Sequence, residues 1–120
     1  MSGVDFHLRK FRKELSAGTV SLALLAVLAT TKTPMYGYQI AKRLEREGEG
    51  VLTGKQSALY PVLRNLQENG LLASHVEPSV TGPPRRYYQI TEQGRETLLK
   101  WAAAWHATRD FVDSVLEDAK

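Results

Sequence analysis

His7, His75 and His106 are the only histidines, and they lie far apart in the chain. No His-Glu-x-x-His pair and no Ser-His-Asp arrangement stands out, so neither zinc hydrolysis nor acyl transfer is suggested. Gly54-Lys55 resembles the end of a phosphate loop. That motif also needs glycine at position 49 and serine or threonine at position 56, where Glu49 and Gln56 stand. The chain has no cysteine, which excludes thiol nucleophiles, disulfides and Cys-ligated metals. An enzyme is therefore not expected, and neither catalytic residue, metal nor cofactor is assigned. The polar groups that do gather are Lys55, Gln56, Ser57, Tyr60, Arg64 and Asn65, with Gly82, Arg85 and Arg86 further on. The side chains of Lys55 to Asn65 in this group are donors and acceptors suited to base edges and phosphates, and the two arginines further on lay charge on a backbone. A third group is aromatic, Trp101 and Trp105, one helical turn apart.

The elements that must position these groups read as follows. Residues 1–14 suggest an amphipathic basic arm, with Phe6, Phe11 and Leu15 on one face and Arg9, Lys10, Arg12 and Lys13 off it. Residues 15–30 form a helix that is apolar nearly all round, so it is buried on more than one side. Thr33-Pro34 ends it. A second helix is expected over Met35 to Glu47, with Ile40, Ala41 and Leu44 facing inward. A third begins near Lys55 and stops at Asn69-Gly70, with Leu59, Val62, Leu63 and Leu66 on its core face. Pro61 sits more easily if this helix starts late. Leu71 to Glu77 and Arg85 to Thr91 read as strands, joined by a stiff loop holding Pro78, Gly82, Pro83 and Pro84. Thr91 is placed to cap a last helix running to about Asp118.

The expected fold is mainly α with a small β-hairpin, a winged helix-turn-helix followed by a long C-terminal helix. Residues 1–90 would hold the DNA-binding part and 91–120 the dimerisation helix, in one compact domain. In such a fold the second helix of the pair enters the major groove and the hairpin tip lies over the backbone. For Tyr88 a core place is favoured; for Tyr36 a phosphate contact.

Composition fits this reading without requiring it. The chain has 120 residues, 42% hydrophobic and 24% charged, with net charge +3. Residues 1–100 carry net +5 and the last twenty −2, so a polyanion would meet the body and not the end. The apolar stretch Val20–Ala29 is half the length a membrane span needs, so a buried helix is expected, with no membrane partner and no signal peptide. Lack of cysteine fits a reducing, cytoplasmic setting.

Along the last helix Leu98, Trp101, Trp105, Thr108, Val112 and Val115 are spaced 3, 4, 3, 4, 3, an a/d seam. It buries itself most simply against a second copy of the chain. Two readings stay open for the tryptophans: packing of a homodimer, or the walls of a cavity between subunits for a flat or cationic ligand.

Three stretches carry a resemblance: Met35-Tyr36-Gly37-Tyr38-Gln39-Ile40, Ser57-Ala58-Leu59-Tyr60-Pro61-Val62-Leu63 and Glu68-Asn69-Gly70-Leu71-Leu72. With Gly82-Pro83-Pro84-Arg85-Arg86-Tyr87-Tyr88-Gln89-Ile90-Thr91-Glu92-Gln93-Gly94, the chain resembles the PadR family of transcriptional regulators over about residues 15–110. Ala58, and Lys55-Gln56 before it, depart from the family's usual residues and bear on DNA sequence preference. The resemblance implies a homodimer on a pseudo-palindromic duplex operator, usually a repressor, released by a small aromatic or cationic effector. In multidrug-sensing members a tryptophan of the last helix lines a pore, which points to Trp101 or Trp105. The rival expectation is a winged-helix module that binds a protein and no operator.

Overall fold

The computed structural model describes residues 3–49, 51 and 58–120. Among these residues, four helices and a three-stranded antiparallel sheet form around one core. Helix α1 (Gly3–Ala29) is a single continuous helix. The separate basic arm expected for residues 1–14 is thus its first half. The reason is cooperative: once Val20, Leu24, Leu25 and Leu28 are packed in the core, extending the helix backwards costs little. Residues 3–15 are all exposed. At the other end, Thr30 and Thr31 hydroxyls donate to the Val27 and Leu28 carbonyls at 2.7 and 3.1 Å, satisfying acceptors that the helix end leaves bare.

Met35 and Tyr36 correct the sequence reading. They are not the start of a helix but a two-residue strand, β1 (Met35–Tyr36). Helix α2 (Gly37–Glu47) begins after it, with Tyr36 in extended conformation at the cap and its N–H donated to Gln39 Oε1 at 3.2 Å. Ile40, Ala41 and Leu44 are buried, as the spacing requires. Helix α3 (Leu59–Glu68) starts late, so Pro61 falls in the first turn, where its missing N–H leaves no bond unmade. Leu63 and Leu66 are buried and Gly70, at φ +81°, turns the chain out of the helix.

Strands β2 (Leu72–Glu77) and β3 (Arg85–Ile90) form the hairpin, and β1 pairs with the free edge of β3. Leu72 faces Ile90, Glu77 faces Arg85, and Tyr36 faces Tyr87. One sheet face, with Met35, Leu72, Tyr88 and Ile90, packs on the helices. Tyr88 takes the core place expected of it. Helix α4 (Glu92–Asp118) is capped by Thr91, whose Oγ1 accepts from the Gly94 N–H at 2.9 Å and donates to the Gly70 carbonyl at 2.7 Å. A Cβ on Gly94 would run into the Leu71 carbonyl oxygen, so only glycine lets α4 leave the sheet here.

Leu98 and Trp101 pack on the core, and from Ala103 onward α4 is exposed. A compact chain of this length has a radius of gyration of about 14 Å. The value here is 16.7 Å, because the first half of α1 and the second half of α4 run beyond the core. No helix among the described residues is long and apolar enough to cross a membrane.

Candidate nucleic-acid interface

Helix α3 presents its Tyr60 and Arg64 side chains toward the hairpin base. Together with Glu68, Arg86 and Tyr88 they line a shallow cleft of about 290 Å³. A neighbouring cleft of about 300 Å³ has Tyr60 on one side and Tyr36, Tyr38 and Arg85 on the other. The two meet at Tyr60. That ring comes so close to α2 that a Cβ on Gly37 would lie 2.8 Å from its Cε1. Gly37 thus sets how tightly α2 and α3 are joined.

The two arginines of the hairpin leave opposite faces of β3, as alternation along a strand demands. Arg86 Nη1 donates to Ser74 Oγ at 2.9 Å. The Arg85 guanidinium carbon stands 4.5 Å above the centre of the Tyr36 ring. Neither arginine, nor Arg64, takes part in an ion pair among the described residues. Three cations without carboxylate partners at these two adjoining clefts make a surface suited to a phosphate backbone. Gly82, at φ +137° with open space about it, is at the exposed tip.

Of the residues singled out in the sequence, Tyr36, Tyr60, Arg64, Arg85 and Arg86 come together in these clefts. Lys55, Gln56 and Ser57 lie outside the described residues. Asn65 is separated from the group. It lines a different groove, beside Trp101 and Trp105, because one residue's rotation about α3 carries it roughly 100° away from Arg64. The aromatic row Tyr38, Tyr36, Tyr87 and His75 was not legible as a unit. Its rings are in contact in succession at 6.2, 5.7 and 5.6 Å between centroids. The only sequence signal for it is tyrosine at 36, 38 and 87, and pairing of β1 with β3 is needed to join them.

The second groove, about 650 Å³, lies between α1 and α4, with Leu15, Thr19 and Leu22 opposite Trp101, Trp105 and Thr108. It divides the seam of α4. Leu98 and Trp101 are half-buried against the chain's own core, whereas Trp105, Thr108, Val112 and Val115 remain exposed. Four of the six seam residues are thus open to solvent on the single chain. The basic residues Arg9, Arg12 and Lys13 border a further groove of about 680 Å³ whose opposite wall includes Ala58, Leu59 and Val62. No group of His, Asp and Glu among the described residues is arranged to hold a metal.

Solved structures similar to this chain share both its fold and its length. A PadR-family transcriptional regulator from Eggerthella lenta DSM 2243 is 33% identical, with a TM-score of 0.78 over 95% of this chain and 96% of that one. A PadR-like transcriptional regulator from Bacillus cereus strain ATCC 14579 is 25% identical, with a TM-score of 0.69 over 86% and 96%. No functionally curated protein matches the chain. The model of the PadR-like family of transcriptional regulators matches residues 24–100, from the core half of α1 through the wing to the capped start of α4. The chain belongs to that family, one of DNA-binding regulators and not of enzymes.

Proposed function

We propose that the protein is a homodimeric, sequence-specific repressor that acts in the cytoplasm and leaves its operator when a small aromatic or cationic ligand binds. The observation that carries this reading is the convergence of Tyr60 and Arg64 from α3 with Arg85 and Arg86 from the wing, none of the arginines ion-paired among the described residues. Helix α3 would read the major groove while the wing lies on the backbone. Lys55, Gln56 and Ser57, which precede α3 in the sequence, would add donors to the same contact. Residues 1–90 would be the DNA-binding part and 91–120 the dimerisation helix.

The dimer is supported by apolar side chains that the single chain leaves in water. Phe111, Val112, Val115 and Leu116 are exposed on α4, and Val4, Phe6, Phe11 and Leu15 on α1. Two long helical arms with this pattern are rarely left bare by a soluble monomer. A second copy covers them most simply. The ligand reading is supported by the half-open groove walled by Trp101 and Trp105, which suits a planar ring or a cation over an indole face.

The test is selection of bound duplexes from a random library at two salt concentrations. A two-fold symmetric motif is expected, with affinity falling steeply as salt rises. Retention without a motif, lost at the higher salt, would refute operator binding and favour the protein-partner module. For the ligand, planar aromatic cations are titrated against tryptophan fluorescence. Loss of binding is expected in Trp105→Ala, and unchanged binding in both Trp101→Ala and Trp105→Ala would refute the groove as the site.

A further inference from the structure

The outer face of the sheet carries a network that contributes nothing to the core, and its parts fall in line across the strands. Tyr36 of β1, Tyr87 of β3 and His75 of β2 are register partners, so their rings stand side by side on the face opposite Tyr88. Tyr36 meets Tyr87 edge-on at 5.7 Å, and Tyr87 stacks on His75 at 5.6 Å. At one end of this row Arg85 lies over Tyr36. Directly across the ladder from Arg85 stands Glu77.

Opposite charges at such a cross-strand position ordinarily attract. Here they are not paired. Glu77 Oε1 instead accepts from His75 Nε2 at 3.0 Å, two residues back on its own strand. Arg86 likewise has a neutral partner, the Ser74 hydroxyl, although Glu68 borders the same cleft. The distinction matters electrostatically. A ring or a hydroxyl fixes a guanidinium in place and leaves its full charge and most of its N–H donors for a phosphate. A carboxylate neutralises the charge and occupies the fork.

We propose that Tyr36 and His75 are positioning residues for DNA binding: the Tyr36 ring holds Arg85 ready, and His75 keeps Glu77 from neutralising it. This rests on the DNA-binding reading above, and it gives Tyr36 a role through its ring instead of through a phosphate contact of its hydroxyl. The network is built on β1, the two-residue strand that ties the start of α2 to the wing, so the pairing that joins these two elements also orients the cation.

The experiment measures affinity of the full chain for a long mixed-sequence duplex as a function of salt, since phosphate contacts do not depend on sequence. Arg85→Ala is expected to lower the slope of log affinity against log salt by about 0.9, the loss of one phosphate contact. Tyr36→Leu should weaken binding about two- to fivefold, the range of an exposed cation–ring contact. Tyr36→Phe should bind as the wild type does, and Tyr36→Leu should add nothing in the Arg85→Ala background. His75→Ala should weaken binding, and adding Glu77→Gln should restore it. Equal loss in Tyr36→Phe and Tyr36→Leu would overturn the role of the ring. Full loss from Tyr36→Leu in the Arg85→Ala background would do the same. If Tyr36→Leu fails to fold, the exposed pair His75→Ala and His75→Ala/Glu77→Gln carries the test, and unchanged binding in both overturns the proposal. A wild-type chain that ignores duplex DNA even at low salt would overturn the regulator reading itself, whereas wild-type binding with unresponsive variants overturns only this inference.

Discussion

Two surfaces of this molecule sit on the same core and differ in what they leave unfinished. On the wing and α3 side what stays open is charge: Arg64, Arg85 and Arg86 have no carboxylate partner among the described residues. On the α1 and α4 side charge is mixed and what stays open is apolar area, from Phe6 and Phe11 on one arm to Phe111 and Val115 on the other. The first kind of surface gains from a polyanion and weakens with salt. The second gains from another apolar surface and is far less sensitive to salt. The difference teaches that the chain has two separate unmet requirements, and that each can be removed without the other.

The largest effect expected is on the apolar side. Phe111→Asp places a charge in the exposed stripe of α4, where it contacts no core residue, so the monomer should keep its fold. Sedimentation should show a monomer, and operator affinity should fall about 100-fold through loss of the linked second half-site. A folded dimer with unchanged affinity would mean that the stripe has another purpose. On the polar side, Arg64→Ala should weaken operator binding by about 1–3 kcal/mol if it reads a guanine, with relaxed preference at one base pair. A uniform loss across sequences, with a shallower salt dependence, would assign Arg64 to the backbone instead. The smallest effect sharpens the border between the surfaces. Asn65→Ala should change duplex affinity by no more than about 0.5 kcal/mol, since the residue faces the Trp groove. A loss comparable to that of Arg64→Ala would move it back to the DNA side.

Much of the fold was legible in the residues. Thr91 was identified as a cap and does accept from the Gly94 N–H. The third helix is expected from near Lys55 but begins at Leu59, the later start that Pro61 favours. The hairpin and its stiff loop followed from tyrosines, prolines and glycine at strand and turn positions. What was not legible shares one cause. Strand β1 is two residues long, too short for any periodicity, and only its pairing with β3 makes it a strand. The continuity of α1 was hidden because its exposed half and its buried half carry different patterns. The family motif places Gly94 without a reason, and the nearby Leu71 carbonyl supplies one.

The candidate site divides in the same way. The sequence by itself determined the types of group on offer: arginines and tyrosines near a recognition helix and a wing, and tryptophans at helical spacing on a last helix. Those follow from local rules, since period, caps and turn chemistry act over a few residues. Only the tertiary structure decided which of them meet. It set Asn65 beside Trp101, it put Leu98 and Trp101 of the α4 seam against the chain's own core, and it placed Arg85 over Tyr36, 49 positions away in the chain. The physical reason is that a side chain's partner is chosen by helix rotation, strand register and the packing of one element on another. None of these is a property of the segment that carries the side chain.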